Sequence, residues 1–475
     1  MSILFAPERR FAVSAVLCLL AGCMPGLTPI RVLPPLGDQG AVYFYLEPVS
    51  ESSTDLAFSV RGMAAERDDG TRVPLEVLRK EINEGSMTDP LLWAWGRVPP
   101  GGYVGVALDV ARATIAGDGG TGDLLLPEAP TTIELPFQVA GGQMTLAYLE
   151  LKVAESVASG FSFAPRFTGR LPNPALPAVA GFCSSPTSDT VTVFDKHTRR
   201  TVAVWPTGRE PWGLSVDAEA GRLYVAASGA DVIEARDLVS GAEVGRVPLR
   251  TGDEPRELAL THAGRLLLVV NRGSSSVAFV DPQALVEVGR LQVGERPSTI
   301  VVDKSGARAY VVNTFGNSLS VIDLANQAVV LTVPTDPRPI RAQLSRDGTR
   351  LYVAHQTSPN VLVLSVPGMG LSESLYAGLG MSAIAVDRRA DRLYVAMDPE
   401  HRVAEYLPGS QLQSGGFDAG ASVAYFLVDD AEDNLFLVQT ALRTVRVLSL
   451  TSRRLLGRFE TAHEPVLCVV AGERS

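Results

Sequence analysis

Charge, histidine and cysteine are all scarce in this 475-residue chain. Charged residues make up 20%, and the 52 acidic side chains outnumber the 42 basic ones, for a net charge of −10. No run of Lys and Arg forms a basic patch, which argues against a nucleic-acid partner. The five histidines (197, 262, 355, 401, 463) show neither HxxxH nor HExxH spacing, and the four cysteines (18, 23, 183, 468) form no CxxC or CxxCH. Zinc and covalent haem are therefore not indicated, and no metal or cofactor is expected. A GxSxG nucleophile elbow and a phosphate loop are also missing. The apolar run Phe11 to Leu20 is too short to cross a bilayer as a helix. By contrast, 44 Gly and 32 Pro suit a turn-rich, all-β chain.

That short apolar run has a context. Arg9 and Arg10 precede it, and it ends in Leu20-Ala21-Gly22-Cys23. The arrangement resembles a bacterial lipobox, in which small residues admit the lipoprotein signal peptidase and the cysteine thiol is acylated. The alternative is an ordinary secretory leader with a chance cysteine. On the lipobox reading, residues 1–22 are a signal peptide and Cys23 is the lipid anchor, each buried CH₂ of its chains contributing roughly 0.8 kcal/mol to membrane affinity. Met24, rather than aspartate, follows it. By the common sorting rule that favours the outer membrane. Residues 23–40, with Pro34-Pro35 and Gly37, read as a tether.

Residues 41–153 read as a separate β domain. Seven candidate strands are Val42–Leu46, Ala57–Met63, Thr71–Val77, Leu91–Val98, Tyr103–Ile115, Thr131–Val139 and Met144–Val153. Asp68-Asp69-Gly70 is a hairpin turn signal. This count in so few residues predicts a β-sandwich, immunoglobulin-like or similar to the prealbumin-like sandwiches. Trp93 and Trp95 fall on one face by period two and are expected in the core. Residues 154–177 read as a linker, because Pro172, Pro174 and Pro177 deny regular pairing. Its Phe161, Phe163 and Phe167 are expected to pack against a domain.

From residue 178 a repeat takes over. Its clearest copy is Ser298 to Asn313: a short apolar strand ending at Asp303, a turn through Gly306, and a returning strand Arg308 to Val312. Equivalent anchors are Phe182, Tyr224, Leu268, Tyr310, Tyr352, Tyr394 and Phe436. The steps from Tyr224 onward are 44, 42, 42, 42 and 42 residues. Each unit holds four short Val/Ile/Leu-rich strands; in the reference unit these are Thr299–Asp303, Ala309–Asn313, Ser318–Asp323 and Ala328–Val333. A fixed period of this length built from strands marks a propeller blade.

The unit resembles the YVTN β-propeller repeat. Tyr310-Val311-Val312-Asn313 matches the tetrad in three of four places, and Arg296-Pro297 and Asn317 to Asp323 are further marks. The resemblance covers residues 178–475 and implies fold rather than activity. It implies that strand one lines a central channel, strand four lies outermost, and ligands meet the face at the channel mouth. Candidate binding residues on the loops of that face are Arg209, Glu254, Arg296, Arg338, Arg341 and His355. The Gly-rich loops Gly378–Met381 and Gly415–Gly420 leave the opposite arc nearly uncharged. Asn271 and Asn313 are expected to cap turns. No catalytic residue is assigned.

The ring also needs closing. The first unit has no convincing first strand, while the tail Glu464 to Val470 repeats the Pro-plus-apolar opening of a unit. The tail is therefore expected to be the innermost strand of blade one, giving seven blades and no open edge. Facing residues in the reference hairpin sum to 611, so Ile300 faces Val311. Transferred to the tail, that register sets Cys468 opposite Cys183. In an exported protein the pair is expected to form a disulfide, the alternative being two buried thiols.

Three function classes remain open: a membrane-anchored, non-catalytic envelope lipoprotein whose propeller binds a protein or glycan; a lactonase-like or quinoprotein-like enzyme; and a structural part of a surface assembly.

Overall fold

The computed structural model describes residues 34–471, apart from 50–55, 84–87, 118–119, 159–160, 262–264 and 408. The leader, Cys23, Cys18 and His262 lie outside the described residues.

From Ala180 onward, seven four-stranded antiparallel sheets follow one another. This is a seven-bladed β-propeller. In the reference unit the strands are Pro297–Val302, Arg308–Asn313, Ser318–Asp323 and Ala328–Pro334, and Ile300 faces Val311 as the sequence predicts. The second strand of each blade has both faces covered. In blade two, Leu223 and Val225 pack towards Val191 and Val193 of blade one. The alternate residues Tyr224 and Ala226 pack towards Leu267 and Val269 of blade three. A strand buried on both faces has no polar side, so it reads as an unbroken apolar run. Each such Val or Leu contributes roughly 1.5–3 kcal/mol by burial. The fourth strands face solvent, and Val330 and Leu331 are exposed on one of them.

Blade one is completed from the two ends of the propeller sequence. Its order is Arg200–Pro206, Thr190–Asp195, Ala180–Ser185 and, innermost, the C-terminal Leu467–Val470. Cys183 and Cys468 form the expected disulfide.

The N-terminal strands are β1 (Gly40–Leu46), β2 (Leu56–Arg67), β3 (Arg72–Val77), β4 (Glu81–Ile82), β5 (Leu91–Val98), β6 (Gly101–Gly117), β7 (Gly120–Asp123), β8 (Thr131–Val139), β9 (Met144–Leu151), β10 (Val157–Ala158), β11 (Ser162–Phe163) and β12 (Phe167–Arg170). All except β10 and β11, which pair with each other, join one hydrogen-bonded sheet in the order β12-β9-β1-β5-β3-β2-β6-β7, with β4 on β2 and β8 on β6. Two separate sheets, as a sandwich would have, are not what the pairing gives. The 17-residue β6 is long enough to pair along its length with β2, β7 and β8. This curls the sheet until β8 comes back against its other end. Phe137 on β8 meets Phe44 on β1 with ring centroids 5.9 Å apart. Gly169 on β12 lies so close to Leu135 that a Cβ there would meet its side chain at 3.0 Å. The curl encloses a core around Phe44, Phe58, Trp93 and Phe163.

Part of the stretch read as a linker belongs to this sheet, because β12 pairs with β9. Phe163 is core and Phe167 packs against it, whereas Phe161 is exposed. The two tryptophans also depart from expectation. Phe44 faces Ala94 but Tyr45 faces Leu92, so Trp93 is the extra residue of a β-bulge. A bulge breaks period-two alternation. Trp93 therefore enters the core, donating Nε1–H to the Arg79 carbonyl at 3.1 Å. Trp95 turns to the other face and stacks on Tyr43.

That other face, with Tyr43, Tyr45, Leu146 and Tyr148, packs on Val204 and Ala462 of the propeller. Polar contacts fix the seam. The Tyr148 hydroxyl donates to the Thr201 carbonyl at 2.7 Å. The Glu460 carboxylate accepts from Arg79 at 2.8 Å and from the Leu92 backbone N–H at 3.1 Å. Arg97 donates to the carbonyls of Pro34 and Pro35, so the end of the tether is pinned at this seam.

Candidate binding site at the channel mouth

The loops that enter the inner strands share one geometry. Glu210, Glu254, Arg296 and Arg338, each just before the entry proline, have φ of 53°, 49°, 46° and 57°. Their backbone N–H groups are held by Asp189 (2.8 Å), Asp231 (2.8 Å), Ser275 (3.2 Å) and Asn317 (2.9 Å) from the preceding turn. Those capping residues also have positive φ, which Asp and Asn tolerate better than most. The loops are thus tied to the blade before them.

Immediately after each entry residue the register slips. The irregularity recurs at Pro211, Pro255, Pro297, Pro339 and Met381. Proline has no ladder donor, so a bulge is where it fits, and a bulge re-aims the following side chain. The result is a ring of residues in the place after the entry residue: Trp212, Arg256, Ser298, Ile340, Ala424 and Val466 all line one cavity of about 430 Å³ at the channel mouth. The next place inward adds Glu257, Thr299, Arg341 and Leu467, and Arg272 and Phe315 complete its charged and aromatic wall.

The six loop residues singled out from the sequence divide in two. Arg341 lies in the cavity, 3.2 Å from Glu257 and with its guanidinium carbon 4.5 Å from the Tyr425 ring centroid. Burial works against its charge, but Glu257 and Tyr425 outweigh it and hold the pKa above the ordinary value. Arg296 and Arg338 flank Phe315 on the cavity wall, at 5.6 and 4.1 Å from its ring centroid. The other three stand apart. Arg209 lines a separate cleft of about 290 Å³ at the seam with the N-terminal sheet, beside Trp95 and His463. Glu254 is a loop residue whose side chain is not among those lining the mouth. His355 is fully buried, its Nδ1 3.1 Å from the Asn360 carbonyl oxygen and its Nε2 without a partner. Burial lowers its pKa. It fills the place held in two other blades by Asn271 and Asn313, whose amides donate to Ser276 and Ser318 across the turn.

Trp212, Glu257, Arg272, Phe315 and Tyr425 were not picked out as site residues. A signal for them exists. Trp212 and Arg256 follow the entry proline of their units, and Arg272 follows Asn271 as Thr314 follows Asn313. The Arg256 guanidinium carbon lies 3.1 Å from the Trp212 ring centroid. Burial, then the Arg272 charge, push its pKa down to about 9, with Arg341 acting in the same sense and Glu257 against it. Among the described residues no group of three or more His, Cys, Asp or Glu side chains is placed to hold a metal ion.

No protein-family model matches the chain, and no curated protein does. Solved structures do. Hydrazine synthase from Kuenenia stuttgartiensis is similar at a TM-score of 0.53 and 16% identity, over 59% of this chain and 96% of that one. A protein of unknown function from Desulfotomaculum acetoxidans gives 0.54 and 11%, over 62% and 98%. A provisionally assigned 6-phosphogluconolactonase from Bacteroides uniformis gives 0.51 and 15%, over 62% and 99%. At such identities the likeness shows the fold alone.

Proposed function

We propose that this protein is a cell-envelope lipoprotein, anchored in the outer membrane through Cys23, whose propeller is a non-catalytic binding module that engages a protein or glycan at the channel mouth. The preceding β domain, on this reading a spacer, stands the propeller off the bilayer. The observation that carries the binding assignment is the composition of the mouth. Guanidinium groups set against aromatic rings (Arg256 on Trp212, Arg338 on Phe315, Arg341 on Tyr425) are groups that recognise ligands. The groups that would act as acid or base are engaged elsewhere: the Glu257 carboxylate pairs with Arg341 and His355 is buried. The test is co-purification after membrane solubilisation, comparing the wild-type chain with Arg338→Glu. A protein or glycan held by the wild type and lost from the variant supports the reading; equal recovery refutes it.

A lactonase-like hydrolase is the second reading, favoured by the fold likeness to the provisional 6-phosphogluconolactonase and by a carboxylate, Glu257, inside the cavity. Lactone hydrolysis that disappears in Glu257→Gln would establish it in place of the first.

A further inference from the structure

Three arginines with little of the side chain exposed each keep a counter-charge. Arg236 is 2.8 Å from Glu234, with 9% and 4% of the two side chains exposed. Arg290 meets Asp253 and Glu287, both at 2.7 Å. Arg341 has Glu257. These follow the rule that a charge removed from water is kept with a counter-charge. Arg256 breaks it. Its guanidinium lies in the mouth cavity and, among the described residues, has no hydrogen bond and no ion pair, only the face of Trp212. Arg272 lines the same cavity and is likewise without a side-chain hydrogen bond or ion pair there. The two charges are near enough for Arg272 to disfavour the protonated form of Arg256.

Among the described residues Glu257 is the only acidic side chain lining the cavity, and Arg341 already engages it. Two guanidinium forks stand without an ion pair among the described residues in one concave space of a chain whose net charge is −10. Packing alone does not call for that arrangement, since two neutral side chains of similar size would fill the space without repulsion. A ligand that supplies the missing charge does. The cavity, about 430 Å³, falls in the size range of small-molecule sites. Guanidinium forks match carboxylate and phosphate oxygens in a bidentate manner.

We propose that the channel mouth binds a small molecule through a carboxylate or phosphate group held between Arg256 and Arg272, with the Trp212 and Phe315 side of the cavity taking the less polar remainder. The proposal rests on the reading of the mouth as a binding site and narrows it to an anionic ligand.

The experiment is calorimetric titration of the full-length chain in detergent with three probes: inorganic phosphate, glucuronate and, as the neutral control, glucose. At low ionic strength glucuronate or phosphate binds and glucose does not. Whichever of the two anions binds tells carboxylate from phosphate chemistry. Arg256→Gln and Arg272→Gln each weaken that binding at least tenfold, while Arg209→Gln, in the separate cleft, leaves it unchanged. Arg256→Gln also retains or raises the thermal midpoint, because it removes an uncompensated charge, an outcome a purely structural arginine would not give. Absence of binding by both anions at millimolar concentration overturns the proposal. So does equal binding of glucose, or anion binding that survives both substitutions. Failure here with a partner still lost from Arg338→Glu removes the anion and leaves the binding module standing.

Discussion

Cys183 and Cys468 stand directly opposite each other on neighbouring antiparallel strands, with Cα atoms 4.1 Å apart, and are joined by a disulfide. The bond ties the first described strand of the propeller to its last. In the blade built from both ends of the propeller sequence no hairpin loop joins the two innermost strands, and here a covalent link takes its place.

The bond spans 285 residues, so the chain-entropy argument assigns it about 5 kcal/mol. Replacing both cysteines by serine is expected to lower the denaturant midpoint substantially and to make it insensitive to reductant. Thiol titration of denatured, unreduced wild-type protein should find neither of these two cysteines free. An unchanged midpoint in the double variant would show that strand pairing alone closes the ring.

A second tie joins blade one to blade seven. Lys196 of blade one is 2.7 Å from Asp429 and 3.3 Å from Glu432 of blade seven, with only 5% of the lysine and 2% of the aspartate side chain exposed. Leaving a buried charge with no partner costs about 3–5 kcal/mol. In Asp429→Asn, Glu432 stays beside Lys196, so this variant should destabilise the fold in urea titrations by less than that. The double variant Lys196→Met, Asp429→Leu should recover most of the loss. A double variant as unstable as the single one would mean that the pair is not the source of the effect.

The propeller was legible because its constraint repeats. Seven copies of one hairpin fix period, register and, by elimination at the ends, the closure that sets Cys468 against Cys183. The N-terminal sheet has no second copy to check a register against. A single bulge at Trp93 sends Trp95 to the opposite face, and nothing in Leu91 to Val98 announces it. The same limit governs the mouth. Charged loop residues were visible, but which of them point inward depends on the register slip after each entry residue. That slip brings Trp212 and Arg256 into the cavity and leaves Arg209 and Glu254 outside it.

Cys23 carries the proposed anchor. Cys23→Ser is expected to shift the protein from the membrane fraction to the soluble fraction, and metabolic labelling with a fatty acid should be lost with it. A variant that still sediments with membranes and resists salt extraction would remove the lipid from the account.

At the mouth, charge reversal has different meanings at two neighbouring arginines. Arg338 lies over Phe315 and, among the described residues, has no ion pair, so Arg338→Glu should weaken partner binding with little change in thermal midpoint. Arg341 pairs with Glu257, and both side chains are at most 15% exposed. Arg341→Glu would put two carboxylates together in the cavity and should lower the midpoint by several degrees as well. Equal midpoints for the two variants would argue that Glu257 and Arg341 are not a pair in solution.

The seam between the N-terminal sheet and the propeller contains a group whose protonation opposes folding. His463 Nε2 is 2.8 Å from the Tyr43 hydroxyl, and its ring meets the edges of Tyr43 and Trp95. Burial pushes its pKa down to about 4; Glu464 acts against that, and Arg443 and Arg97 add to it. The sign follows. Below about pH 6.5 the unfolded chain takes up a proton that the folded chain refuses until about pH 4. Stability is therefore lost as pH falls through that window, by about 3.5 kcal/mol in all at roughly 1.4 kcal/mol per unit. Other groups titrate in the same range, so the informative quantity is a difference between two proteins. His463→Gln is neutral at every pH and can keep the hydrogen bond to Tyr43. Denaturant midpoints measured from pH 7 to pH 4.5 should fall more steeply for the wild type than for His463→Gln. Parallel slopes would place a water molecule or a protonated imidazole at the seam instead of the buried neutral ring.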